Sequence, residues 1–107
     1  MKAIVCEEKL KVELRPLPVL KTGEVLIKVE YSALNRADLV QRQGHYPQPK
    51  GVTDVLGLEC SGYLLNKDTT INKKHRVMAL LPGGGYAYYA KTHVSHLVPL
   101  PDYISFE

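Results

Sequence analysis

No run of the sequence approaches the ~20 consecutive apolar residues of a membrane-spanning helix, so no membrane partner is expected. The opening residues Met1 to Cys6 turn charged at Glu7 and Glu8, a pattern unlike a secretory leader. Cysteine is scarce: Cys6 and Cys60 stand far apart, form no Cys-x-x-Cys pair, and lie in apolar strand-like runs. They read as buried thiols of a reducing compartment rather than as a disulfide, so a cytoplasmic protein is expected. Charge of one sign is also short. Fourteen Lys and Arg against eleven Asp and Glu leave a net charge of +3. The densest basic cluster, Lys73, Lys74, His75 and Arg76, reads as a solvated turn. No aromatic residues stand beside it in a nucleic-acid-binding frame, and no nucleic-acid partner is expected.

What is present is a pattern of short strands. The chain has 107 residues, 45% of them hydrophobic, which suits one small domain with a real core. Lys2 to Cys6 is a short apolar run. From Lys9 to Arg15 the period is two, with Leu10, Val12 and Leu14 alternating with charged residues, which predicts a half-buried strand. Pro16 and Pro18 end it, since proline cannot donate to a sheet ladder. After the turn Thr22-Gly23-Glu24, Val25, Ile27, Val29 and Tyr31 give the clearest strand of the chain.

One helical turn interrupts the strands. Asn35 is placed to cap a short helix from Arg36 to Gln43, stopped by Gly44, with the Asn35 side chain bonding the amide of Ala37 or Asp38. Strands are predicted again over Leu56 to Leu65, Arg76 to Leu81 and Tyr86 to Thr92, with a last edge strand at Val98 to Leu100. A polar turn over Asn66 to Lys74 and a sharp turn at Pro82 to Gly85 separate them. Ser105-Phe106-Glu107 reads as the start of a further helix with Ser105 as cap. Many short strands with Gly and Pro turns predict a mainly β, small barrel.

The glycine clusters do not read as phosphate loops. Gly83-Gly84-Gly85-Tyr86-Ala87-Tyr88 has tyrosine where the dinucleotide fingerprint needs its third glycine, and a strand follows instead of a helix. His93 and His96 lie at a strand end without an evident third ligand, so no metal site is expected there. The polar set Asn35, Asp38 and Tyr46 is the candidate site. Asn35 and Asp38 are three apart and share one face of a helical turn. An amide and a carboxylate beside a phenol can line a small cleft and orient a carbonyl or a carboxamide. The same residues can equally be a plain cap.

The run from Ser32 to Tyr46, the block Gly57-Leu58-Glu59-Cys60-Ser61-Gly62 and the block from Arg76 to Ala87 together resemble the quinone oxidoreductase branch of the medium-chain dehydrogenase/reductase superfamily. Met1 to Ile4 and Gly23 to Val29 fit as well. The resemblance implies a GroES-like, partly open β-barrel over residues 1–107, the alcohol dehydrogenase-like N-terminal catalytic domain. It also implies that the Rossmann domain that binds NADPH lies outside this chain. It assigns Asn35 and Asp38 to the nicotinamide and quinone site and Tyr46 to the quinone, with Asn35 and Tyr46 also touching the cofactor. Zinc-dependent relatives carry a Cys near the start of the helical turn and a His before the Glu of the Gly-x-Glu block. Asn35 and Leu58 stand in those regions, so no zinc is expected and hydride transfer from NADPH to a quinone is favoured over alcohol oxidation.

Lys74-His75 and Tyr88 depart from the family pattern, which puts the local turns in question. With half a cleft, the chain alone is expected to be inactive. Its expected partners are a quinone substrate and either a further copy or a Rossmann-containing chain. An alternative is a free-standing GroES-like module that modulates such a chain. A co-chaperonin role is disfavoured, because the Gly44–Thr53 loop is proline-rich and mostly polar.

Overall fold

A computed structural model describes residues 1–6, 9–42, 53–65 and 71–107. Seven strands and one helix are found among them. They are β1 (Lys2–Cys6), β2 (Leu10–Leu14), β3 (Glu24–Ser32), α1 (Arg36–Arg42), β4 (Glu59–Leu65), β5 (Ile71–Leu80), β6 (Tyr89–His93) and β7 (Leu97–Pro99). β1 and β2 form an antiparallel ribbon, and the other strands form one antiparallel sheet in the order β6-β3-β4-β5-β7. Register shifts at Val29/Tyr31 and Tyr63/Leu65 bend the sheet, as bulges do. The result is the mainly β barrel that the strand pattern predicts, partly open as the family resemblance implies.

The concave side is filled by Ile27, Cys60, Val77, Ala79, Leu81 and Ala90, with Val29, Leu64 and Leu97 packed against them. Ile27 is fully buried, worth about 2–3 kcal/mol in removed apolar surface. Burial pushes the Cys60 thiol up to about 12, so it stays protonated at neutral pH. At Gly62 the sheet has no room for a side chain: a Cβ would lie 2.0 Å from the Lys28 carbonyl oxygen. A second cluster, Ala3, Val5 and Val55 with Ala87, closes the barrel on the ribbon side. There the segment ahead of β4 threads between β1 and the turn before β6. The Leu56 amide donates to the Ile4 carbonyl at 3.0 Å, and the Tyr86 amide donates to the Leu56 carbonyl at 2.8 Å.

Four expectations need correction. The alternation of β2 does not bury its apolar side: Leu10, Val12 and Leu14 are 44%, 63% and 79% exposed. The ribbon's other face, carrying Ala3 and Val5, is the one that meets the core, so the period is right and the side is wrong. β5 begins at Ile71, so the basic cluster lies in a strand and not in a turn; its register is set by the buried Val77 and Ala79 farther along. β4 begins only at Glu59, because Leu56 and Gly57 are spent on the bonds to β1 and to the turn before β6. Residues Ser105 to Glu107 form no helix. The Phe106 ring packs edge-on against Tyr63 at 5.0 Å and under the Arg76 guanidinium at 4.5 Å, while its carbonyl accepts from the Ser61 hydroxyl at 2.6 Å. Tertiary contacts with β4 and β5 outweigh the cap signal.

Candidate functional site

β3 delivers the chain to α1 through Ala33, Leu34 and Asn35, and the Ala33 amide is tied to the Glu59 carbonyl at the head of β4. The cap of α1 is inverted relative to the expectation. The Asp38 carboxylate reaches back, its Oδ2 accepting from the Asn35 amide at 2.8 Å, as the third helical residue of a capping box does. The Asn35 side chain turns away from the helix and donates through Nδ2 to Glu59 Oε2 at 2.6 Å. The charge-assisted Nδ2 bond to Glu59 fixes the Asn35 side chain pointing away from the helix, and a carboxylate suits the positive end of the first turn.

Tyr86, on the turn before β6, joins this cluster from across the chain. Its hydroxyl lies 2.7 Å from Asp38 Oδ2 and 3.1 Å from the Ala33 carbonyl. A hydroxyl has one proton to give, and the charged oxygen is the nearer and stronger acceptor. Burial first, and the hydrogen bond to the Asp38 carboxylate second, push the Tyr86 phenol well above its ordinary value of 10.0. Tyr86 therefore donates to Asp38 and is not a base at neutral pH.

The sign of the linkage follows from this. A phenol whose folded pKa is raised holds its proton longer folded than unfolded, so its contribution is complete below pH 10 and lost as pH rises beyond it. Thermal melts between about pH 9 and 11 are expected to show a decline that Tyr86→Phe reduces. An identical decline in both proteins would mean that the phenol is not held by Asp38.

Asp38 is 5% exposed. Its Oδ2 has two donors, whereas its Oδ1 is buried and has no partner among the described residues. A buried acceptor without a donor is costly, which sets this oxygen apart among the polar side-chain atoms of the described residues.

Of the residues selected from sequence, Asn35 and Asp38 are brought together, and Tyr46 lies outside the described residues. Glu59 and Tyr86 are the site residues that sequence reasoning misses. Both sit in the blocks that carry the family resemblance, but no local pattern ties position 86 to position 38. A cavity of about 670 Å³ bordered by Pro16, Val19, Val55, Gly84, Tyr89 and Lys91 shares none of these residues. His93 caps the turn Val94–His96 through the Ser95 amide, and the His96 ring lies 3.4 Å from the Thr92 hydroxyl. Among the described residues no cluster of three His, Cys, Asp or Glu side chains is placed to hold a metal. No helix among them is long and apolar enough to cross a membrane.

Comparison with known proteins agrees with this architecture. The alcohol dehydrogenase GroES-like domain matches residues 21–102. The synaptic vesicle membrane protein VAT-1 homolog of Danio rerio is 32% identical over 104 residues, which is 94% of this chain and 22% of that protein. The solved human VAT-1 homolog-like protein superposes with a TM-score of 0.83 at 32% identity, over 99% of this chain and 37% of that one. The quinone oxidoreductase of Thermus thermophilus, solved also in complex with NADPH, gives 0.82 at 32% identity, over 100% and 35%. The chain spans about a quarter of the length of the VAT-1 relatives it matches.

Proposed function

Since the chain belongs to the alcohol dehydrogenase GroES-like domain family, in its quinone oxidoreductase-type branch, we propose that it forms the substrate-side wall of a crevice in which NADPH reduces a quinone. The observation that carries this reading is the buried, partnerless Asp38 Oδ1 beside Asn35. NADPH, held by a Rossmann domain, would supply the hydride. The residues here suit its nicotinamide by their chemistry: Oδ1, closed to solvent in this structure, is an acceptor, and a carboxamide NH₂ is a donor that would satisfy it. Asn35 Nδ2 has a second N–H beyond the one given to Glu59, a suitable donor to a quinone oxygen. Tyr86 holds the Asp38 carboxylate in place through its other oxygen. Tyr46 is proposed to contact quinone and cofactor.

The donor set does not suit catalytic zinc. Leu58 offers no ligand, and Asn35 is engaged with Glu59. A quinone needs no Lewis acid, being already a good electron acceptor. We place this chemistry in the cytoplasm and expect the chain alone to be inactive, because positioning the cofactor against the substrate requires the other wall.

The test is a chimera in which residues 1–107 replace the matching barrel of the Thermus thermophilus enzyme. The chimera should oxidise NADPH in the presence of a quinone, while the isolated chain should not. Turnover by the isolated chain would overturn the claim of inactivity. A folded, NADPH-binding chimera without quinone turnover would overturn the assignment itself.

A further inference from the structure

We propose that the outer edge of β2 is a self-pairing surface, through which two copies of this chain join their β1–β2 ribbons into a four-stranded antiparallel sheet. The inference is independent of the catalytic reading and begins with the ladder of the ribbon. Met1 and Arg15 exchange both backbone hydrogen bonds, at 2.7 and 2.8 Å, so they form a hydrogen-bonded pair. In an antiparallel ladder such pairs alternate. With the observed register, Ala3↔Glu13 and Val5↔Lys11 are then bonded pairs, and Lys2↔Leu14, Ile4↔Val12 and Cys6↔Leu10 are not. Ile4 confirms the phase, since its amide goes to Tyr86 and its carbonyl accepts from Leu56, both away from β2. The amides and carbonyls of Leu10, Val12 and Leu14 therefore point outward from the ribbon. The outer side of β1 is occupied by Leu56 and Tyr86, whereas among the described residues no strand pairs with the outer side of β2.

The side chains on that edge are unlike those of a protected edge strand. Leu10, Val12 and Leu14 all share one face and are exposed. Natural edges are usually blunted by proline, a bulge or charge on the exposed face, and β2 carries its charges on the other face. The charges also choose the partner. When β2 pairs antiparallel with a copy of itself, with Val12 on the twofold axis, Leu10 lies opposite the partner's Leu14 and Lys11 lies opposite the partner's Glu13. The outward-pointing groups of Leu10, Val12 and Leu14 then form the bonded pairs. The Lys11–Glu13 pairs fall at the closer, non-bonded positions, where opposite charges attract.

Sliding the register by two residues either way sets Lys11 against Lys11 or Glu13 against Glu13. A slip by one places an aliphatic residue on the charged face. One register is thus selected. Each copy already holds Lys11 and Glu13 together at 2.8 Å, so the pairing merges two ion pairs into a network. Lys9 meets the partner's Arg15 at the ends, but the Arg15 charge is already bound by Glu13 and Asp54. The arrangement is isologous, the commonest kind of homodimer contact. A five-residue edge buries less than a standard interface of about 1,600 Å², so the association is reversible and concentration-dependent.

The experiment is sedimentation of the chain from micromolar to millimolar concentration, with circular dichroism to check folding. The mass should rise from 12.0 kDa toward twice that value. Val12→Pro removes an outward amide that β1 does not use, and should hold the protein at the monomer mass. Lys11→Glu should weaken association by about tenfold, from the loss of two cross-strand ion pairs. Adding Glu13→Lys to it should restore most of that loss. If Val12→Pro does not fold, the charge-swap pair decides. A monomer at every concentration, or association that the charge reversal and its compensation leave unchanged, overturns the proposal.

Discussion

Gly57→Ala is expected to lower the Tm of this domain by more than about 15 °C. Two separate penalties coincide at Gly57. Its φ is +104°, where an L side chain is strained by about 1–3 kcal/mol. A Cβ there would stand 2.6 Å from the Tyr86 amide nitrogen and 2.8 Å from Gly85 backbone atoms. Backbone cannot swing aside as a flexible side chain can. The approach is also bonded shut: the Gly85 amide donates to the Gly57 carbonyl at 3.0 Å, the Tyr86 amide to Leu56, and the Leu56 amide to Ile4. Relieving the clash means parting segments 53–58 and 83–86 and breaking those bonds. The sum exceeds about 4 kcal/mol, which puts it among exceptional substitutions. A domain of this size has only about 5–15 kcal/mol to lose. Thermal melts by circular dichroism test this. A cooperative transition within a few degrees of the parent's would show that the two segments do not meet as described.

The same contact explains which parts of the fold were legible. Strand existence follows from local alternation, and β1 and β3 appear close to where Lys2–Cys6 and Val25–Tyr31 place them, while β6 starts at Tyr89, three residues later than the expected Tyr86, because Tyr86 is spent on the bonds to Ile4 and Leu56. What alternation does not carry is which face meets the core. Leu10, Val12 and Leu14 are as regular as the buried residues of β3, yet the ribbon turns Ala3 and Val5 inward instead. That choice depends on Val55 and Ala87, both distant in sequence. The tail fails for a related reason: Ser105 is a good cap in isolation, but Phe106 finds Tyr63 and Arg76.

The site divides along the same line. Asn35 and Asp38 are visible because one helical turn joins them. Glu59 and Tyr86 enter only when β4 and the turn before β6 are folded beside that turn. The cap departs from expectation although Asn35 is a favoured N-cap residue by type. The deciding acceptor, Glu59, comes from another strand. In this domain the glycine-permitted contact at Gly57 sets the approach of the turn that carries Tyr86, and Tyr86 in turn helps set Asp38. Architecture and site are therefore one construction, and a test of either bears on the other.

Asp38 allows that connection to be measured in two ways. Asp38→Ala removes the acceptor for the Asn35 amide and the Tyr86 hydroxyl at once. Hydrogen bonds to a charged group contribute about 1.5–3 kcal/mol each, while relief of the partnerless Oδ1 returns about 1–3 kcal/mol. The net loss is about 2–3 kcal/mol, or a fall of about 10–20 °C in Tm for a domain this small. Asp38→Asn separates structure from function. It keeps the side-chain size and an acceptor oxygen for the two donors, so its thermal cost should be about half as large. At the buried position it replaces an acceptor with an NH₂, which cannot receive a carboxamide N–H. In the chimera, Asp38→Asn should therefore raise the KM for NADPH by about tenfold, as expected for one lost charge-assisted hydrogen bond, with the protein still folded. Tyr86→Phe should show a coupling of about 0.5–3 kcal/mol with Asp38→Asn in a double-mutant cycle. A large thermal loss with unchanged KM would make Asp38 a cap alone. No thermal loss from Asp38→Ala would show that the carboxylate does not hold the turn. Only the combination of moderate destabilisation and selective loss of cofactor affinity fits a carboxylate with one oxygen holding the fold and the other accepting from the cofactor.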